Sequence, residues 1–123
     1  MIKQVLSDDI IKQYLPILTA CPLFNTLGIP ELTSYLHNAK VIVKNYKKND
    51  FIALSGDPME GIGVILEGSA LLTRENVLGQ RVIMANLEAS SIFGEALLFS
   101  KHPLWPATIK ALKPTKIMFI PLE

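Results

Sequence analysis

Up to about residue 40 the apolar residues recur three and four positions apart, whereas from Val41 onward they come in short runs of apolar and β-branched residues broken by Gly, Asp, Asn and Pro. The first pattern predicts helices and the second predicts strands. Between Ser7 and Leu18, the residues Ile10, Ile11, Tyr14 and Leu15 share a helical face. Asp8 and Asp9 stand at the end where a helix dipole favours acids, and Pro16 and Pro22 predict an end or a kink. A second helix is predicted from Pro30 to about Ala39. Proline is well placed at a first helical position, Glu31 favours that end, and Leu32, Tyr35, Leu36 and Ala39 lie on one face.

Strands are predicted near 41–46, 51–54, 62–67, 69–75, 80–87, 92–93, 107–112 and 116–121. Ser55-Gly56-Asp57-Pro58 and Glu67-Gly68-Ser69 carry turn chemistry, and Asn76 to Gly79 closes a further hairpin. Short strands preceded by helix predict an α+β, mainly β fold: N-terminal helices followed by a double-stranded β-helix, or jelly roll. Residues 1–40 form the helical segment and residues 41–123 the β-roll, in one domain overall. Such folds enclose a pocket.

Composition narrows this picture. A chain of 123 residues buries roughly two thirds of the surface its unfolded form exposes, enough for one real core. Half the residues are apolar and 19% are charged, which excludes disorder and implies either a well-filled core or, the favoured reading, apolar surface that something else covers. The net charge of +1 provides no basic field for nucleic acid or an anionic membrane. A single cysteine, Cys21, cannot form an internal disulfide, and Asp8 and Asp9 fall where a signal peptide needs an apolar run, so a cytoplasmic location is expected. No apolar stretch approaches the roughly 18 residues that span a bilayer.

Candidate chemistry concentrates in Phe93-Gly94-Glu95-Ala96-Leu97-Leu98-Phe99, followed eleven residues after Gly94 by Trp105-Pro106-Ala107. With Cys21-Pro22-Leu23-Phe24, Glu31-Leu32, Tyr46-Lys47-Lys48-Asn49-Asp50-Phe51-Ile52, Ser55-Gly56-Asp57 and Val64-Ile65-Leu66-Glu67-Gly68-Ser69, this run resembles the succession of landmarks in the cyclic-nucleotide-binding domain family. The match covers about residues 20 to 123, and its strength lies in the order and spacing of the pieces. Asn49 stands where the family usually has glycine, and Ser90-Ser91 replaces its usual Gly-Asp. The larger departure is in the phosphate cassette, where Trp105 occupies the arginine position and Pro106 the Ser/Thr position.

The resemblance implies a regulatory domain and not an enzyme. Its ligand-binding residues would be Gly94, Glu95, Ala96, Leu97, Trp105, Pro106 and Ala107, with Val64, Leu66, Met84 and Ala85 lining the barrel. Backbone N–H groups from Gly94 to Leu97 would meet a phosphate, and Glu95 a ribose hydroxyl. Cyclic AMP, cyclic GMP or another small effector would be the ligand. In bacterial regulators of the catabolite-activator and fumarate-nitrate-regulator type, a long helix then closes over the ligand and forms a dimer seam leading to a DNA-binding helix-turn-helix. This chain reaches Pro121-Leu122-Glu123 about where that helix would begin. The expectation is the effector-sensing part of such a transcription regulator, a homodimer through the closing helix that touches DNA only through a separate C-terminal helix-turn-helix.

Trp105 cannot supply the charge-assisted fork of an arginine. Removing a partner from a desolvated anion costs about 3–5 kcal/mol, or two to three and a half powers of ten in affinity, so tight cyclic AMP binding is not expected. Lys101, His102 and Lys110 are the nearby cations that could replace the charge. Two readings of Trp105 stay open: its ring fills the vacated space, or its face stacks on a planar effector. Gly94 and Glu95 could equally survive as a turn and a hydrogen-bonded carboxylate without any ligand. An ordinary cyclic-nucleotide switch on a kinase, channel or transporter, and a ligand-free dimerisation module, are the alternatives.

Other chemistries lack their residues. A cupin-type metal site needs several His with a Glu, and the chain has only His37 and His102, so no metal is expected. An iron–sulfur sensor needs more than Cys21. No Gly-x-Ser-x-Gly, no Walker loop and no paired acids on a shared surface occur.

Overall fold

The strand Gly61–Glu67 is buried along all but its last residue, because it is covered on both faces. The structure, a computed structural model, describes residues 2–5, 8–22, 24–94, 101 and 103–121. In chain order, the elements are β1 (Ile2–Val5), α1 (Asp8–Gln13), α2 (Leu15–Ala20), α3 (Ile29–Asn38), β2 (Ile42–Tyr46), β3 (Phe51–Ala53), β4 (Gly61–Glu67), β5 (Ser69–Glu75), β6 (Arg81–Glu88), β7 (Ile92–Phe93), β8 (Thr108–Ala111) and β9 (Thr115–Pro121). Two antiparallel sheets, ordered β1-β2-β9-β4-β7 and β3-β8-β5-β6, face each other. The jelly roll expected from the sequence is thus present, with helices on the outer side of the first sheet.

Alternation along β4 and β9 divides the interior into two cores. Val64, Leu66, Met118 and Ile120 join Ile11, Tyr14, Leu18, Phe24, Leu32 and Leu36 beneath the helices. Ile65, Ile117 and Phe119 point the other way, between the sheets, with Tyr46, Phe93, Trp105 and Ile109. Val64 and Leu66 therefore belong to the helix-facing core and not to the barrel lining expected of them. The physical reason is that a strand covered on both faces is apolar throughout and loses the period of two that reveals which side points inward.

The helical segment differs from expectation at its start, where β1 pairs antiparallel with β2 from Ile2↔Asn45 to Val5↔Ile42. The first helix breaks at Tyr14, and Pro16 begins the next one from its first turn. That is a helix position where the missing N–H of proline costs nothing. The Tyr14 hydroxyl donates to Glu67 Oε2 at 2.5 Å, and Lys116 Nζ lies 5.3 Å from the Tyr14 ring centre, so the break is pinned to the ends of β4 and β9. Burial, then the hydrogen bond to Glu67, pushes the Tyr14 phenol pKa up. Asn49, at the position where the family usually has glycine, adopts φ +75°, a left-handed angle that asparagine accepts more readily than most residues.

The hairpin β5–β6 closes through Asn76, whose Oδ1 accepts from the N–H groups of Leu78 and Gln80. A register shift falls between Leu72 and Thr73, opposite Ala85 and Ile83, which leaves Met84 as the extra residue of a bulge. β6 is the edge of its sheet, with Val82, Ile83 and Met84 exposed.

Candidate functional site

Position 105 is fixed by a neighbouring turn before its side chain is considered. The Trp105 N–H donates to the Asp57 carbonyl at 2.8 Å, and the Trp105 carbonyl accepts from the Gly56 N–H at 2.8 Å. Leu104 bridges to Pro58, and the Met59 N–H donates to the Pro103 carbonyl at 3.0 Å. The Ser55-Gly56-Asp57-Pro58 turn thus serves as the mount for the segment carrying Trp105, Pro106 and Ala107.

From that mount the indole turns inward and is 8% exposed. Its ring centre lies 5.7 Å from that of Phe93 at an interplanar angle of 42°, and Phe93 meets Phe119 edge-on at 6.1 Å. Gly94 has φ +92°, and a Cβ there would stand 3.4 Å from the indole and 2.9 Å from Met59 Cε. Glycine at 94 thus provides both a backbone angle that other residues resist and room for the ring at 105.

A groove of about 320 Å3 opens beside the indole, lined by Leu72, Ala85, Leu87, Phe93, Trp105 and Ile109, together with Ile92, Gly94, Pro106 and Ala107. Of the residues singled out in the sequence, Gly94, Trp105, Pro106, Ala107 and Ala85 meet at this groove. Met84 does not line it and is 53% exposed, because it is the strand neighbour of Ala85 and points to the opposite face. Glu95, Ala96, Leu97 and His102 lie outside the described residues. Lys101 is exposed. Lys110 sits opposite Phe51 in the β3–β8 pair, with Nζ 5.9 Å from the Phe51 ring centre, and lines neither the groove nor the polar cleft next to it.

That polar cleft is what sequence reasoning missed. Ser55, Thr73, Arg74, Glu75, Arg81, Pro106 and Thr108 enclose about 570 Å3 on the far side of Pro106. Charged residues at the end of a hairpin read as a solvated tip. Only the pairing of Thr73 with Thr108 and of Glu75 with Arg81 brings them to the cassette. Leu72, Leu87 and Ile109 were also missed, since inward and outward positions of short strands look alike when both are apolar.

On its other side, Trp105 borders a second cavity of about 390 Å3 that includes Lys44, Tyr46, Glu60 and Phe119. Burial, and then the charges of Asp50 and Glu60, push the Tyr46 phenol pKa up to about 12. Among the described residues no group of three or more His, Cys, Asp or Glu side chains is placed to hold a metal, and no helix is long and apolar enough to cross a membrane.

Two facing antiparallel sheets backed by helices, with a groove opening at a glycine turn after β7, define a helix-backed jelly roll. The chain belongs to the cyclic nucleotide-binding domain family, whose description fits residues 43–123. Its structure is similar to the N-terminal domain of a transcriptional regulator from Streptomyces coelicolor A3(2), at 27% identity and TM-score 0.74, over 85% of this chain and 71% of that one. It is similar to the sensor domain of the transcriptional regulator DNR from Pseudomonas aeruginosa, at 23% identity and TM-score 0.74, over 89% and 72%. It also matches the regulatory domain of Toxoplasma gondii PKA with cAMP, at 18% identity and TM-score 0.78, over 94% of this chain and 43% of that one. The chain spans about half of a putative cAMP-binding regulatory protein from Silicibacter pomeroyi that it also resembles, 49% of that length at TM-score 0.75. No curated protein matches the chain.

Proposed function

We propose that this domain is the effector-sensing part of a catabolite-activator or fumarate-nitrate-regulator type transcription regulator, working in the cytoplasm, whose phosphate cassette has lost tight cyclic-nucleotide binding. The observation that carries the reading is the buried indole of Trp105, mounted through both of its backbone groups at the place where the family keeps an arginine. An indole there offers no positive charge to a phosphate. The missing charge weakens binding by about two to three and a half powers of ten. The groove beside it is still large enough for a small apolar body, near the lower end of the roughly 300–1,000 Å3 typical of ligand sites. The likeness to the Streptomyces regulator domain supports the regulator class.

In this reading an effector seated between Gly94 and Ala107 biases how the roll holds the following helix, and so selects between two arrangements of a DNA-binding homodimer. An ordinary cyclic-nucleotide switch is the second reading, favoured by the fit of 94% of the chain to a regulatory domain solved with cAMP.

The test is a calorimetric titration of the complete protein with cyclic AMP and cyclic GMP beside Trp105→Arg. Silence from the unmodified protein and binding by Trp105→Arg is the expected result. Micromolar binding by the unmodified protein would overturn the loss and favour the second reading.

A further inference from the structure

Lys44 and Tyr46 stand two residues apart on the inner face of β2, where a jelly roll otherwise keeps apolar side chains. Their cross-strand partners in β9, Ile117 and Thr115, are buried. Tyr46 is 5% exposed, yet its hydroxyl has no hydrogen-bond partner among the described residues and is not sealed from solvent. Lys44 is half-buried and makes no ion pair among those residues; its ammonium rests 5.2 Å from the Phe119 ring centre. Both side chains line the cavity of about 390 Å3 that lies across Trp105 from the groove. Polar groups kept inside a fold are normally met by a partner.

Two exposed acids, Asp57 and Glu60, line the same cavity. The charge of Glu60 acts on the Tyr46 hydroxyl, so the inner donors and the outer acids share one electrostatic neighbourhood. We propose that this cavity is a second ligand site, for an aromatic α-amino acid: its carboxylate held by Lys44 and the Tyr46 hydroxyl, its ammonium by Glu60 and Asp57, and its ring against Phe119 and Trp105. The proposal does not rest on the reading of the groove, which lies on the other side of the indole.

Charge selects the class. One cation and two acids leave the lining with a surplus of negative charge, which turns away a phosphate or a dicarboxylate. A simple amine leaves Lys44 unanswered, and a simple carboxylate leaves the acids so. A zwitterion meets both, through charge-assisted hydrogen bonds. The walls favour a ring, because aromatic side chains add offset and edge contacts to plain burial. Asp57 belongs to the turn that mounts Trp105, its carbonyl accepting from the Trp105 N–H at 2.8 Å. A ligand drawn to that turn is thereby set beside the indole.

The test titrates the complete protein by calorimetry with three probes of like shape: phenylalanine, phenethylamine, which lacks the carboxylate, and 3-phenylpropanoate, which lacks the ammonium. Phenylalanine is expected to bind about tenfold tighter than either, the worth of one charge-assisted contact. Lys44→Met should erase its advantage over phenethylamine, and Glu60→Gln its advantage over 3-phenylpropanoate. Tyr46→Phe should weaken both carboxylate probes several-fold and leave phenethylamine unchanged. All three variants keep the size of the side chain and remove no partnered group, so the melting temperature should hold. Ala85→Leu, which narrows only the groove, should leave phenylalanine binding as it was.

Equal binding of the three probes, or a preference that survives both Lys44→Met and Glu60→Gln, overturns the site. Phenylalanine binding that Ala85→Leu weakens and Lys44→Met does not also overturns it, and places the amino acid in the groove instead. Absence of binding by every probe at millimolar concentration overturns it as well. None of these results bears on the titration of Trp105→Arg with cyclic nucleotides, so the two readings fail separately.

Discussion

The ring of Phe93 occupies the space that any side chain at Gly63 would need: a Cβ built there falls among the ring atoms. The two residues are direct partners across the β4–β7 ladder. Because Phe93 in turn packs on Trp105 and Phe119, one hydrogen atom at position 63 sets where the aromatic cluster sits.

Gly63→Ala should therefore destabilise the domain by about 1–3 kcal/mol through overpacking. Urea unfolding measures this, and a shift in Trp105 emission should accompany it. A neutral result would mean that Phe93 has another place to go.

Trp105→Ala should cost about 3–5 kcal/mol, the range for emptying a large aromatic site. The indole separates two cavities, so its removal joins them and the walls have little means of collapsing. Thermal unfolding of the variant is the check. A loss below about 1 kcal/mol would show that the indole is a lid and not part of the core.

Tyr46 makes the fold sensitive to strong alkali. Its phenol pKa rises from 10.0 to about 12, so the folded state holds this proton more tightly than the unfolded chain does. The stabilisation is complete below pH 10 and is lost as the pH climbs from about 10 through about 12. It amounts to roughly 2–3 kcal/mol. Stability measured between pH 9 and pH 12 should fall less steeply in Tyr46→Phe than in the unmodified protein.

The bond from Tyr14 to Glu67 couples the helix break to the first sheet. A double-mutant cycle with Tyr14→Phe and Glu67→Gln should give a coupling of about 0.5–1.5 kcal/mol, kept small because Glu67 is exposed. Additive losses would mean that the helices are held by apolar packing alone.

The strand positions were readable because turn residues punctuate the chain: the 69–75 strand matches β5 (Ser69–Glu75) residue for residue, and the 92–93 strand matches β7. Facing was not readable where both sides of a strand are apolar, which is why Val64 and Leu66 were assigned to the lining while Ile65 holds the interior position. β1 escaped notice because Ile2-Lys3-Gln4-Val5 becomes a strand only through pairing with residues some forty positions away. The placing of Trp105 beside Phe93 and Gly94 was legible from the spacing of the segment. The approach of Arg74 and Arg81 to Pro106 was not, since it depends on hairpin pairing and the twist of a sheet.

Strand β6 turns Ala85 and Leu87 to the groove while leaving Val82, Ile83 and Met84 bare along its free edge. A molecule under Trp105 and anything that grips that edge therefore act on the same eight residues. Linkage makes the relation reciprocal: by whatever factor one tightens the other, it is tightened in return. An affinity measured at the groove would then depend on whether that edge is covered as much as on the pocket.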